Sequence, residues 1–410
     1  MTSKAGPLAG IRVLDLSRVL SGPWAGQVLG DLGAEVIKVE QPGLGDMFRT
    51  QPPQIKDKDG KIAPRESALY LAGNRNKKSV TVNISTDDGR DLVRRLAEKS
   101  DVLIENFRAG TLQKHGLGYE ALSKLNPRLI FCSISGFGQT GPYADKGGYD
   151  STFQALSGMM SYTGQPDGSP GEGPVRTGPS LCDINAGMYG VVGILTALYS
   201  RVTTGRGQYI DLAMLDTTLA MVSHQAMAVL TTGKDVGRSG NGSPYAAPTG
   251  VYPSSDKPVM FNAGQDKDFK SLCEIIGTTE WLTDERYSSR ANRIKNRREL
   301  DALIGARTRT FSSADLIVKL EARGLAIAPV NTSLDAYQDP QVVHRNMLRE
   351  IPHPLAGTIK TVASPLRFSD LPMERYEAPP LLGQHTEEVL SGVLGLTTAE
   401  IERLKALKAV

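Results

Sequence analysis

The sequence predicts an α/β protein, a large domain with a parallel sheet plus a smaller α/β domain, and three observations predict it. Apolar runs of strand length alternate with helical patterns over the first 135 residues, which is the pattern of βαβ units. Near residue 225 the composition shifts to a Gly/Ser/Pro-rich stretch followed by short charged helices, which marks a second domain. Strand and helix patterns then resume toward the C-terminus. These divide the chain into 1–224 for the first part of the large domain, 225–325 for the small domain, and 326–410 for a return linker and the remainder of the large domain.

The elements follow in order. Residues 11–16 read as a strand, and 23–32 as a helix with Pro23 in its first turn and Gly33 past its end. Residues 34–40 read as the second strand of the same unit. Strands at 79–84, 101–105 and 129–133 alternate with helices at 89–100 and 119–125. Beyond residue 150 the pattern turns helical at 151–163 and 183–203, followed by a strand at 209–214 and a helix at 217–232. A hairpin is expected at 249–262, a strand at 326–330, β-structure within 348–368, and helices at 385–394 and 398–408. No internal repeat of useful period is apparent.

The chain has 410 residues, 40% hydrophobic and 22% charged, enough to bury a large core. Lys plus Arg number 47 against 44 Asp plus Glu, with no long run of one sign, which argues against a nucleic-acid partner. The small positive excess suits an anionic small ligand. Cys132, Cys182 and Cys273 are odd in number and widely spaced, which argues against a disulfide framework or a cysteine zinc site and implies a reducing compartment. The N-terminal residues lack the apolar core of a leader, and the longest apolar stretch, about 188–199, is short of the roughly 20 residues that span a bilayer. The expectation is a soluble cytoplasmic protein, or an organellar one after processing, with no membrane partner.

The first βα turn reads Ser21-Gly22-Pro23-Trp24-Ala25-Gly26, without the Gly-x-Gly-x-x-Gly spacing that lets a pyrophosphate approach a helix start. Glu40 does stand where a ribose-binding acid would, so a nicotinamide enzyme remains a minor alternative, and no nucleotide cofactor is expected. No P-loop, His-Glu-x-x-His helix or Gly-x-Ser-x-Gly elbow occurs. His115, His224, His344, His353 and His385 each read as structural, and no metal is expected.

The most informative segment contains Gly147-Gly148-Tyr149-Asp150, Gln154-Ala155-Leu156-Ser157-Gly158, Thr163-Gly164-Gln165-Pro166-Asp167-Gly168, Asp183-Ile184-Asn185-Ala186-Gly187-Met188 and Thr204-Gly205-Arg206-Gly207-Gln208. It sets Asp183 at the start of a long apolar helix. A carboxylate there accepts backbone N–H bonds and faces the positive end of the helix dipole, so it is expected to stay ionised and able to act as a nucleophile. The plain alternative is an ordinary capping aspartate. Cys182 is a rival nucleophile, but no histidine lies nearby in sequence to make its thiolate.

This segment, with Val13-Leu14-Asp15-Leu16, Gly22-Pro23, 33–40, Gly45-Asp46, Asn76-Lys77-Lys78-Ser79, 101–107 and Pro380-Leu381-Leu382-Gly383-Gln384-His385-Thr386, resembles the family III coenzyme A transferases. That group includes formyl-CoA transferase, carnitine and succinyl-CoA-dependent CoA-transferases and α-methylacyl-CoA racemase. The resemblance covers essentially the whole chain. It implies a Rossmann-like large domain, an obligate homodimer of interlocked rings, acyl-CoA and carboxylic acid substrates with CoA as the carrier, and Asp183 as covalent nucleophile. CoA contacts carried over by motif are Val19, Leu20, Ser21, Gln41, Leu71, Asn74, Arg75, Asn76, Lys77, Asn106, Phe107, Thr111 and Lys114. Lys77 and Lys114 are the expected phosphate partners, against the alternative of solvated surface lysines.

Substrate contacts are expected from Leu20, Arg49, Tyr149, Gly264 and Gln265. Formyl-CoA transferase has glutamine where this chain has Leu20, which argues against strict formyl/oxalate specificity. The racemases carry histidine where this chain has Tyr149, so a partner for α-proton exchange is missing. Arg49, Arg75 and Arg108 are expected in loops bordering the pocket, where a guanidinium would suit the distal carboxylate of a dicarboxylate acid. A longer glycine run found in formyl-CoA transferase is absent around Ala263-Gly264-Gln265. A CoA-binding protein without turnover is the non-catalytic alternative.

Overall fold

The computed structural model describes residues 6–371 and 375–410; the polar segment 1–5, read above as no leader, lies outside the described residues. The chain forms two compact units. The larger comprises the chain up to Ser157 with Gly178–Val222 and Pro340–Val410, and the smaller comprises Gly158–Thr177 and Ser223–Asp339.

The larger unit is built around β1 (Arg12–Asp15), α1 (Ser21–Asp31), β2 (Glu35–Glu40), β3 (Lys77–Thr81), α2 (Asp87–Glu98), β4 (Val102–Glu105), β5 (Ile130–Ser135), α3 (Asp150–Leu156), α4 (Leu181–Thr204) and β6 (Tyr209–Ala213). The strands lie in the order β3-β2-β1-β4-β5-β6, and every pairing is parallel. This is the dinucleotide-fold order, whose direction reverses between β1 and β4. Alternate residues of each strand enter opposite cores, which is why the strands read as unbroken apolar runs. Leu14, Ile37, Val80, Leu103 and Phe131 join Leu92, Leu96, Val389 and Leu404 on one face. Val13, Val36, Val102, Ile104 and Cys132 join Leu29, Ala186 and Ile194 on the other. The C-terminal segment completes the unit: the Thr81 N–H donates to Thr386 Oγ1 at 3.0 Å, and the Asn83 N–H to the Ala409 carbonyl at 2.8 Å.

Several expectations change. Helix α4 runs for 24 residues and has a mean hydropathy of 1.5 over an 18-residue stretch; it is longer than the apolar stretch read from the sequence and sufficient by length and composition to cross a membrane. Its small-residue face packs on the sheet. A Cβ on Gly190 would meet Ile134 at 3.4 Å, and one on Gly193 would meet Ile210 at 3.4 Å. The helix expected at 151–163 is interrupted at Gly158, whose φ of 80° is left-handed. The helix expected at 217–232 is two helices, Met214–Met221 and Ser223–Thr232. An antiparallel pair, Gln54–Lys56 with Ile62–Ser67, was not expected.

The smaller unit holds an antiparallel three-stranded sheet of Thr249–Tyr252, Val259–Asn262 and Ile327–Pro329. Helices Asp266–Ile276, Arg297–Thr308 and Ser313–Glu321 contribute Phe269, Leu272, Leu300 and Leu316 to a core with Tyr252, Phe261 and Trp281. Ile327–Pro329 pairs inside this sheet, beyond the boundary expected at 325.

Candidate active site

The chain leaves β1 and must turn into α1 at the point where the sheet order reverses. Val19 makes that turn with a φ of 71°, an unfavourable conformation for a β-branched residue. The turn is anchored by its neighbours. The Val19 N–H donates to both carboxylate oxygens of Asp46 at 3.1 Å, Asp46 pairs with buried Lys38 at 3.0 Å, and Lys38 also donates to the Ser17 carbonyl at 2.9 Å. Asn106, just past β4, bridges to the same turn. Its Nδ2 donates to the Arg18 carbonyl at 2.7 Å and to Ser21 Oγ at 3.4 Å, while its Oδ1 accepts from the Arg18 N–H at 2.9 Å. The two loops flanking the reversal are thereby joined, and the Arg18 guanidinium lies 4.9 Å from the Phe107 ring centroid.

Asp183 reaches this turn from α4. It occupies the first turn of that helix and is not its cap; Ser180 is the N-cap and makes no side-chain capping bond. Asp150 serves that role instead, its Oδ1 accepting from the N–H of Cys182 at 2.8 Å and of Asp183 at 3.4 Å. Gln154 Nε2 holds the other Asp150 oxygen at 2.5 Å. Helices α1 and α4 approach closely because residue 187 is glycine: a Cβ there would lie 2.6 Å from the Ser21 carbonyl oxygen and 3.2 Å from Trp24 Cβ. Across this contact the hydroxyl and backbone N–H of Ser21 both hydrogen-bond the Asp183 carboxylate.

The electrostatics differ from the sequence expectation. Burial and the neighbouring Asp150 carboxylate push Asp183 up to about 6, against the lowering effect of the two Ser21 bonds. The carboxylate remains mostly ionised at neutral pH, although its pKa is raised. Cys182 is fully buried, and burial pushes its thiol up to about 11, which removes it as a thiolate nucleophile. Beside the site, Ser17, Arg18, Gln41, Asn83, Ser85 and Phe107 line a cleft at the carboxyl ends of the strands, where open α/β sheets take their ligands. A half-buried carboxylate held by two donors can act as a nucleophile.

A family model described as CoA-transferase family III matches residues 8–386. The chain belongs to this family. The succinate–glutarate CoA-transferase of Agrobacterium fabrum is 42% identical over 393 residues, covering 95% of this chain and 96% of that protein. The succinyl-CoA:glutarate CoA-transferase of Mus musculus is 38% identical, covering 97% and 89%. The crystal structure of a CAIB/BAIF family protein from Brucella suis superposes with a TM-score of 0.86 at 41% identity, covering 95% of this chain and all of that one. The protein is thus a CoA-transferase with CoA as substrate and carrier.

In this family III enzyme, Val19, Leu20, Ser21, Asn106 and Phe107 come together on the two loops at the sheet reversal, and Gln41 lines the adjoining cleft. Leu71 lies away from that cleft, lining an apolar cavity with Trp24 and Met188. Thr111 and Lys114 begin and end a short helix, with Lys114 exposed. Tyr149 is 72% exposed, directly before Asp150. Gly264 and Gln265 lie in the smaller unit; Gly264 gives its carbonyl to Arg293 at 3.1 Å, and Gln265 is exposed at the N-cap of the next helix.

Several expected ligand contacts are internal instead. Arg49 is fully buried, binding Glu40 through Nε at 2.7 Å and Nη2 at 2.8 Å, Glu66 at 3.1 Å, and the Tyr70 hydroxyl and Pro380 carbonyl. A guanidinium so engaged has no donor left for substrate. Glu40 is correspondingly a structural partner and no ribose ligand. Arg75 pairs with Asp31 through two bonds. Lys77, expected on a phosphate, is buried on Asp15 at 2.8 Å, the Pro23 carbonyl at 2.8 Å and Asn74 at 3.0 Å. Asn76 is buried between Asp31 and the backbone of Arg375 and Glu377. These side chains hold the loop before β3; pairing offsets the cost of burying their charges. The sequence reading missed Asp150 as cap, Asp46 as anchor and Ser21 as the partner of Asp183. Asp150 and Asp46 stand in the quoted family blocks, but nothing local in sequence shows what they touch.

Proposed function

We propose that this CoA-transferase moves CoA from succinyl-CoA to a dicarboxylic acid through covalent intermediates on Asp183. One observation carries the mechanism: Ser21, in the turn from β1 into α1 where the sheet order reverses, meets the Asp183 carboxylate with its hydroxyl and its backbone N–H. An Asp183 oxygen attacks the donor thioester carbon and expels CoA thiolate, leaving a mixed anhydride. The thiolate sulfur then attacks the aspartyl carbon, forms a C–S bond and expels the donor carboxylate. The acceptor carboxylate reverses both steps. Each intermediate is an activated acyl group, so no separate energy source is needed.

The substrate class is supported by the relatives named for succinate or succinyl-CoA with glutarate. Of the three arginines considered, Arg49 and Arg75 are engaged internally, whereas Arg108 is exposed with its guanidinium against Gly147, 3.2 Å from where a Cβ would stand. Gly147 leads directly to Asp150, the cap of the Asp183 helix, so Arg108 is the partner we assign to a distal carboxylate. Leu20 and Tyr149 count against formyl-CoA:oxalate transfer and racemisation. We further place the enzyme in the cytoplasm as a homodimer; its three cysteines are free and buried.

Incubation of the pure protein with succinyl-CoA and a panel of mono- and dicarboxylic acids, read by mass spectrometry of the CoA species, tests this reading. New dicarboxyl-CoA should form with the unchanged protein and disappear with Asp183→Ala. Arg108→Gln should lose dicarboxylate exchange selectively. Full exchange by the Asp183 variant would remove the covalent relay, and succinyl-CoA bound with neither adduct nor turnover would favour a binding protein.

A further inference from the structure

We infer that Ser21 is a catalytic residue of the second half-step, its hydroxyl and backbone N–H forming the oxyanion hole for attack on the Asp183 carboxyl carbon. The inference rests on the aspartyl relay proposed above and assigns a role within it. When CoA sulfur attacks the aspartyl carbon of the anhydride, the C–S bond forms and the carbonyl electron pair moves onto an Asp183 side-chain oxygen. That oxyanion collapses by expelling the donor carboxylate, which leaves the aspartyl-CoA thioester. Donors already aimed at the Asp183 oxygens are placed where this negative charge develops.

The geometry favours Ser21 for this task. It is the first residue of α1, so its N–H has no acceptor within the helix and points out of the N-terminus. It is 3% exposed, which keeps water from competing for either donor. Asn106 Nδ2 donates to Ser21 Oγ at 3.4 Å, leaving the hydroxyl proton free for Asp183. Asn106 is itself fixed at both amide atoms by the Arg18 backbone. Asn106 is therefore a positioning residue: it orients the hydroxyl without touching the reacting atoms. Asp150 fixes the other side of the nucleophile through the Asp183 N–H.

The first half-step puts its oxyanion on the acyl carbon of the donor, away from Asp183, so Ser21 acts unequally on the two halves. Rapid mixing of the whole protein with succinyl-CoA, acid quenching and mass spectrometry of the Asp183 peptide resolve the succinyl anhydride from the CoA thioester. With Ser21→Ala and the near-isosteric Ser21→Cys, thioester formation should slow by about 100-fold, the scale of losing one oxyanion donor. Anhydride should then accumulate. The acidic limb of the pH–rate profile should also move to higher pH, because a bond that stabilises the Asp183 carboxylate is lost, an effect that a merely structural serine would not produce. Thioester formation at the unchanged rate in both variants would overturn the role. An equal slowing of both covalent steps would also overturn it, leaving Ser21 a packing residue. An unchanged protein that forms neither adduct would overturn the relay itself, which separates the two failures.

Discussion

At the scale of single residues, Asp183 is set by opposing effects: burial and Asp150 raise its pKa to about 6, and Ser21 restrains the rise. In the relay proposed above its nucleophilic form is the carboxylate, so turnover should fall as pH drops through about 6, well above the ordinary aspartate value of 3.8. Folding is linked to the same proton. A carboxyl whose pKa is higher in the folded state binds protons more tightly there, so its ionisation costs stability as pH rises from about 4 to above 6. Asp183→Asn should therefore stabilise the protein by about 3 kcal/mol at pH 8, by the conversion of a two-unit shift, and by far less at pH 4. Denaturant unfolding at both pH values checks this; an equal gain at both would show that the asparagine acts through packing. The place of Asp183 in the first turn of a long apolar helix was legible, because the apolar run follows it directly in sequence. Its environment was not legible, since Asp150 and Ser21 reach it from separate elements. Arg49 shows the opposite error. Its polarity reads as a pocket border, yet Glu40 and Glu66 match it completely in the interior.

At the scale of elements, the contact between α1 and α4 controls the site because Ser21 and Asp183 belong to different helices. Gly187 allows that contact. A Cβ at this position would stand 2.6 Å from a backbone oxygen, which cannot swing aside as a side-chain tip could. Gly187→Ala should force the helices apart and reduce kcat more than 10-fold, since small displacements of a reacting group are costly. Overpacking should cost about 1–3 kcal/mol of stability in addition. Gly193→Ala is the control, because its Cβ would meet only the Ile210 side chain at 3.4 Å, and the alanine gains up to about 1 kcal/mol of helix propensity. Comparable kcat in the two variants would show that helix spacing does not set the site. The sheet strands were legible because both faces are buried and the apolar runs are continuous. Ile62–Ser67 was missed because Arg65 and Glu66 interrupt its alternation, and Glu66 is buried as a partner of Arg49.

At the scale of the whole molecule, the α/β class follows from alternation, but the strand order does not, since periodicity says nothing about which strand lies beside which. The division into units was likewise only partly legible. Residues 158–177 join the smaller unit through bonds such as Gly240 N–H to the Gly164 carbonyl at 3.0 Å and Arg238 Nε to the Gln165 carbonyl at 3.0 Å, pairings between segments far apart in sequence. The outer face of α4 bears on assembly. Met188, Tyr189, Val192, Tyr199 and Val202 are 42–82% exposed along it, while the opposite face packs against the sheet. Apolar side chains recurring along one exposed helix face mark an interaction surface, and a second copy of the chain is the occupant consistent with the proposed homodimer. The unchanged protein should sediment at about twice its 44.1 kDa chain mass. Val202, 82% exposed, can accept a charge without disturbing the fold of a lone chain, but across an apolar interface an unpaired carboxylate carries a desolvation cost. Val202→Glu combined with Tyr199→Glu should shift sedimentation toward monomer at micromolar concentration while leaving far-ultraviolet circular dichroism unchanged. Exchange activity should decline with the dimer fraction. A monomeric unchanged protein would exclude the assembly, and a dimer indifferent to both charges would place its interface on another surface.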